Sequence, residues 1–263
     1  MTKSILRLLS ASAVTLMGLM NSAAEAAPIW VRTDPILNGG LFNAGFGTPI
    51  AVSSDSGASF QAFRAGAFTL QSNSGDPVND PWRAFVTYCF ELAQFIRLNN
   101  GPVQYDSFAL NSPILTPADQ LTLVQTNAIS RLWSNGFATS LTSGEKSAGF
   151  QVAIWDIVLD GAAGLDGLTG GVFRVQELPQ NAVNVNVRGF ATDFLSVAYD
   201  AGDPSLVIGG LFHPTNQNLL FPPGQEGPGG TENDPTVPAP ATLLLLGAGL
   251  AALASQRRRP ART

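Results

Sequence analysis

Ser143-Gly144-Glu145-Lys146-Ser147-Ala148-Gly149-Phe150-Gln151-Val152-Ala153-Ile154-Trp155-Asp156-Ile157-Val158-Leu159-Asp160-Gly161 reads as one helix with little free surface. It starts near Ser143 or Gly144 and runs to Asp160, where Gly161 ends it. Ala148, Gln151, Trp155 and Val158 recur at helical spacing and share one face. Phe150, Ile154 and Ile157 make the neighbouring face apolar as well, so the helix is expected to be largely buried. A buried helix needs partners on more than one side. Thr116-Pro117 reads as the N-cap and first position of a preceding helix that Gly136 closes, and Val183–Tyr199 as a following one.

Strand-like segments lie outside these helices. Ser59–Leu70 and Arg83–Leu98 are short, apolar and divided by Gly, Asn, Asp and Pro clusters, with a loop at Ser72–Pro77. Ser205–Phe221 returns to short strands. The order strands, helices, strands predicts an α+β fold: a β-sandwich or barrel with an inserted helical subdomain. No internal repeat is visible.

The two ends carry different information. Lys3 and Arg7, the apolar run Leu8–Met20 and Ala24-Glu25-Ala26 have the order of a secretory signal peptide over residues 1–26. Residues 27–221 form the expected ectodomain, and the Pro/Gly-rich residues 222–236 a linker. At the other end Val237-Pro238-Ala239-Pro240 precedes a 14-residue apolar run, Ala241–Ala254, and then Arg257, Arg258 and Arg259. With Ser255 and Gln256 the run is just long enough to insert in the inner membrane, leaving the arginines cytoplasmic. These features of residues 237–263 resemble the PEP-CTERM sorting signal of Gram-negative exopolysaccharide producers. There, a Pro-Glu-Pro motif, an apolar helix and a basic end are read by an exosortase; Ala239 stands here in place of the glutamate. The resemblance implies export, signal-peptidase and exosortase processing, transient membrane anchoring by residues 241–256, and a final place at the cell surface or outside the cell.

Residues 27–236 hold eight basic and 18 acidic residues, a net charge of −10. That balance excludes the basic patches that nucleic-acid binding relies on. Cys89 is the single cysteine and His213 the single histidine, so neither a disulfide nor a zinc site of the usual type is available. There is no Walker loop and no Gly-x-Ser-x-Gly elbow, and no cofactor is implied. The glycines at 39, 40, 45 and 47 are followed by no helix and suit no phosphate. Asp160 and Asp166 lack the ligand spacing of a calcium loop, and His213, before a proline, reads as a turn residue. The chain does not read as an enzyme.

One constellation remains: Tyr88-Cys89-Phe90-Glu91, Phe150-Gln151-Val152-Ala153-Ile154-Trp155 and Asn216-Gln217-Asn218-Leu219-Leu220. In this order they resemble the thioester domains of bacterial surface adhesins. In that family one motif supplies a cysteine, a Thr-Gln-x-Ala-apolar-Trp motif lies on a helix, and a late Gln-x-apolar-apolar motif supplies a glutamine. Phe150 replaces the threonine. The resemblance implies a bond between Cys89 and Gln217, with Gln176 a rival partner, and Gln151, Trp155, Tyr88 and Glu91 around it. Gln151 would hold either the Cys89 strand or the thioester carbonyl. Phe85, Tyr88, Phe90, Phe95, Trp133 and Trp155 are the expected dry wall. The 128-residue separation of Cys89 and Gln217 is no obstacle, because loop-closure entropy grows only logarithmically. The implied partner bears an amine. The scarcity of lysine, Lys146 alone in residues 27–236, suits a chain that must not acylate itself. Two alternatives stand beside this reading: an unreactive structural or carbohydrate-binding component of an exopolysaccharide matrix, and a hydrolase using Glu91 with Asp156 as paired acids.

Overall fold

The computed structural model describes residues 28–33, 47–98, 101–112, 120–161, 168–176, 182–200 and 204–222. The signal segment, residues 223–236 of the linker, the sorting tail, Asp166 and the glycines at 39, 40 and 45 lie outside them.

The central helix forms where its sequence places it. Helix α2 spans Gly144–Asp160. The Ser143 hydroxyl caps it by accepting the N–H of Lys146 at 3.2 Å, Glu145 complements the positive end in the first turn, and Gly161 leaves the helix with φ 60°. Helix α1 spans Leu123–Ser140 and α3 Ala182–Tyr199; α2 packs against both. Gly149 makes that approach possible, since a Cβ there would lie 2.7 Å from Phe190 Cβ and 3.1 Å from the Ala191 nitrogen.

Helix α1 departs from the expectation at both ends. Thr116-Pro117 lies outside the described residues, and the N-cap is Thr122. A capping box holds it: Gln125 N–H donates to Thr122 Oγ1 and Thr122 N–H to Gln125 Oε1, at 3.3 and 2.9 Å. Gly136 does not end the helix. It sits inside, against the rings of Phe194 and Phe150, where any larger residue would displace them.

Six strands make an antiparallel sheet in the order β5 (Arg83–Thr87), β4 (Phe68–Asn73), β1 (Pro28–Thr33), β6 (Val103–Ala109), β8 (Gly209–Phe212), β9 (Leu219–Phe221). Its two outer strands meet. Beyond β5, Leu220 N–H donates to Tyr88 O at 3.1 Å and Phe90 N–H to Asn218 O at 2.9 Å, and the Thr87 hydroxyl reaches Leu220 O at 2.5 Å. This seam closes the sheet as a barrel and removes its free edges. A second sheet holds β3 (Gln61–Ala65), β2 (Thr48–Ser53) and β7 (Arg174–Val175). The fold is thus α+β, a barrel with the helices inserted between β6 and β8.

Two expected strand segments are subdivided. Ser59–Leu70 breaks into β3 and β4 at Gly66, whose φ of 141° favours glycine. Arg83–Leu98 is a strand only to Thr87, followed by a single bridge at Cys89. Residues 91–98 then run irregularly beside the loop before β9, with Gln217 N–H donating to Phe95 O at 3.3 Å.

Gly149→Ala is expected to lower stability by about 1–3 kcal/mol although alanine is the better helix former. Urea unfolding of the two proteins measures the difference.

Candidate functional site

Cys89 sits in the seam, 7 % exposed, directly opposite Leu219. The hydrogen bonds of Tyr88 and Phe90 flank this pair, so Cys89 and Leu219 form a non-hydrogen-bonded pair, in which side chains approach most closely. The N–H and C=O of Cys89 therefore point away from β9. On that side β4 has already ended, since Phe68 pairs with Thr87 and is the first residue of β4. Gln151 takes the place of the missing strand. Its Oε1 accepts the Cys89 N–H at 2.8 Å and its Nε2 donates to the Cys89 carbonyl, also at 2.8 Å. A carboxamide offers the same donor and acceptor as a peptide group, so one buried side chain satisfies both backbone groups. Of the two tasks open to Gln151, the geometry selects holding the strand.

Gln217 is 4 % exposed. Two residues along the seam from the Cys89–Leu219 pair, it faces Glu91. Cys89 and Gln217 thus lie on one face in diagonal positions, a separation that long side chains span. Gln217 Nε2 donates to Glu91 O at 2.5 Å, and the Tyr105 hydroxyl donates to Gln217 O at 3.2 Å. The neighbouring asparagines fix the loop: Arg97 N–H donates to Asn216 Oδ1 at 2.8 Å and His213 N–H to Asn218 Oδ1 at 2.9 Å. Glu91 Oε1 accepts the Asn218 N–H at 3.3 Å. His213 is the turn residue expected of it. Its Nδ1 accepts N–H groups of Thr215 and Asn216 at 3.1 and 3.0 Å, and burial holds its pKa down against the opposing pull of Asp106.

Cys89 and Gln217 line the same pocket of about 280 Å³, with Glu91, Phe63, Phe95 and Trp155 among its walls. Burial, with the Glu91 charge adding to it, pushes the Cys89 thiol well above its usual range; the free thiol is neutral at physiological pH. The aromatic wall differs from the expected one. Phe95 and Trp155 line the pocket, joined by Phe63 and Phe68, which the sequence reading missed. Tyr88 and Phe90 flank Cys89 in the chain and so project to the other side of the strand. Tyr88 enters the helical core, 4.7 Å from Phe150 and 6.0 Å from Trp133 between ring centroids. Phe90 packs on Phe212 and Phe85 on Phe221. Tyr88, expected beside the bond, is a core residue whose hydroxyl meets Ser140 Oγ at 2.6 Å and Ser147 Oγ at 3.2 Å.

Other candidates separate from this pocket. Gln176 continues β7 in the second sheet, its N–H donating to Ala51 O at 2.9 Å, and is not among the pocket's walls. Asp156 is fully buried and shares no wall of this pocket with Glu91. Asp160 accepts the N–H groups of Val172 and Phe173 at 2.8 and 3.0 Å, a loop-capping role. Among the described residues no three His, Cys, Asp or Glu side chains converge on a metal position, and no helix is long and apolar enough to cross a membrane. Residues 241–256, and with them Val237, Pro238 and Pro240, lie outside those residues.

Residues 236–259 match the family of the PEP-CTERM protein-sorting motif. No curated protein matches the chain. Among solved structures it is similar to the N-terminal thioester domain of a surface protein from Clostridium perfringens, at 18 % identity over 66 % of this chain and 98 % of that one, with a TM-score of 0.36. It is also similar to the N-terminal thioester domain of the fibronectin-binding protein SfbI from Streptococcus pyogenes, at 14 % identity over 66 % of this chain and 92 % of that one, TM-score 0.32.

Gln151→Leu is expected to leave the Cys89 N–H and C=O buried and unpaired, at a cost of roughly 2–5 kcal/mol in chemical denaturation. Burial pushes the Tyr88 hydroxyl up to about 12. The folded state therefore keeps this proton longer than the unfolded chain, whose tyrosines titrate near 10. The associated stability is complete below about pH 10 and is lost as pH rises toward 12. Unfolding measured across that window should show a steeper loss in the native protein than in Tyr88→Phe.

Proposed function

We propose that this is an exported surface or matrix protein that couples covalently to amine-bearing partners through a thioester between Cys89 Sγ and Gln217 Cδ. The carrying observation is that these two side chains share one face of the barrel seam and one largely apolar pocket. The Cys89 thiol adds to the Gln217 carboxamide carbon, its proton passes to the departing nitrogen, and ammonia leaves. A partner's primary amine then adds to the same carbon. The sulfur departs and takes up a proton, and an amide links partner to Gln217. No oxidant or cofactor enters the balance. The aromatic walls slow hydrolysis by limiting water, and Gln151 fixes the cysteine strand. Gln217, rather than Gln176, is the acyl donor.

The sorting motif at 236–259 supports the export half of the reading. Residues 1–26 are removed by signal peptidase. Residues 241–256 hold the chain in the inner membrane until an exosortase acts on the tail, and residues 222–236 space the domain from it. Covalent capture of an amine by such a protein amounts to adhesion. A second reading, an unreactive carbohydrate-binding matrix component, has its own supporting observation: Phe95, at the pocket rim, is 60 % exposed and stacks on Phe63, a surface suited to a sugar ring.

Intact mass of freshly purified protein, with and without methylamine, separates the two. The thioester reading expects a mass short by one ammonia, restored as a methylamide that peptide mapping locates at Gln217. Cys89→Ala should show the full mass and take up no methylamine. A full mass in the native protein, with a titratable Cys89 thiol and no methylamide at Gln217, would favour the matrix role.

A further inference from the structure

Two residues at this pocket each carry a buried polar atom with no hydrogen-bond partner: Trp155 its indole nitrogen Nε1 and Gln94 its side-chain oxygen Oε1. Both residues line the pocket with Cys89 and Gln217. Trp155 is 3 % exposed. An orphaned buried donor is rare in a folded protein and calls for a cause; a donor and an acceptor orphaned on two residues of one cavity wall fit a ligand or reaction that needs one of each.

Acyl transfer has that requirement. When a nucleophile adds to the Gln217 carbonyl carbon, an electron pair moves onto Oε1, and that oxygen needs a donor. Four backbone donors of the seam are already committed. The Cys89 N–H binds Gln151, the Phe90 N–H binds Asn218 O, the Gln217 N–H binds Phe95 O, and the Asn218 N–H binds Glu91 Oε1. Gln151 spends both its amide atoms on Cys89. Trp155 lies one helical turn after Gln151, so the two share a face of α2.

We infer that the Trp155 indole N–H is the donor to the Gln217 oxygen in the tetrahedral intermediates of both acyl-transfer steps, and that Gln94 Oε1 accepts an N–H from the nitrogen that leaves or enters. The inference rests on the thioester reading. In formation, Sγ adds to Cδ and the pair on Oε1 is held by Trp155 until the C–N bond breaks and ammonia departs. In capture, the amine nitrogen adds, the pair is held again, and the C–S bond breaks. Trp155 touches the reacting oxygen and is a catalytic residue in this sense; Gln94 orients the nitrogen.

Trp155→Phe keeps a ring against Phe63 and Phe173, which lie 6.0 and 6.4 Å away between centroids, and removes the N–H. Methylamine should consume the thioester on the order of a hundredfold more slowly in this variant, as followed by intact mass. The infrared band of the thioester carbonyl should move to higher frequency, because a hydrogen bond to that oxygen is lost. A folded Trp155→Phe protein that never loses ammonia is the same result read at the formation step. Gln94→Met alters a partly exposed residue outside every helix and strand; it should slow aminolysis and leave the carbonyl band in place. Native rates and an unshifted band in Trp155→Phe overturn the inference. Should that variant fail to fold, an unchanged aminolysis rate in Gln94→Met overturns it. A native protein with full mass and a free Cys89 sinks the thioester reading itself, an outcome distinct from native thioester with unaffected variants.

Discussion

The paired hydrogen bonds between the Gln151 carboxamide and the Cys89 backbone join the two halves of this molecule. The barrel seam runs on past the point where β4 ends, and without a partner on that side the chain at Cys89 would bury an unpaired peptide group. Helix α2 supplies the partner, and to do so it must lie at a fixed height and rotation against the seam. That position in turn depends on Gly149 admitting α3 and on the Ser143 cap setting the start of the helix. Substituting glutamine here by an apolar residue of like size would keep the shape and lose the strand's support on the side away from β9.

Much of the fold was legible because its signals are local. The limits of α2 follow from residues adjacent to them, and the strand–helix–strand order from composition alone. The α1 boundaries were misread for a physical reason. Thr116-Pro117 has the form of a helix start, but the reciprocal pair Thr122–Gln125 is the one that satisfies backbone donors. Gly136 has the form of a stop, but a glycine within a helix also serves where two rings press on it. Only tertiary packing distinguishes these uses.

The site divides in the same way. Cys89, Gln151, Trp155 and Gln217 were found as residues from their motifs, and the structure brings their side chains to one pocket or one clamp. The aromatic wall was assigned by nearness in sequence, which is the wrong measure on a strand. Tyr88 and Phe90 adjoin Cys89 and for that reason face away from it, whereas Phe63, distant in the chain, lines the same pocket. A period of two applied to residues 85–91 would have predicted this division. Nothing in the sequence marks Gln94, because an unsatisfied oxygen is a property of the surroundings and not of the residue.

The barrel closes between residues near 88 and residues near 219, and the second of these belongs to β9, the last described strand. Everything between, including all three helices, forms one long loop across the seam. Contacts so far apart in the chain form late, after local helices and hairpins. A chain threaded amino end first would therefore carry Cys89 across a membrane well before Gln217. On that order of emergence, the pocket would be assembled only once the whole domain had followed.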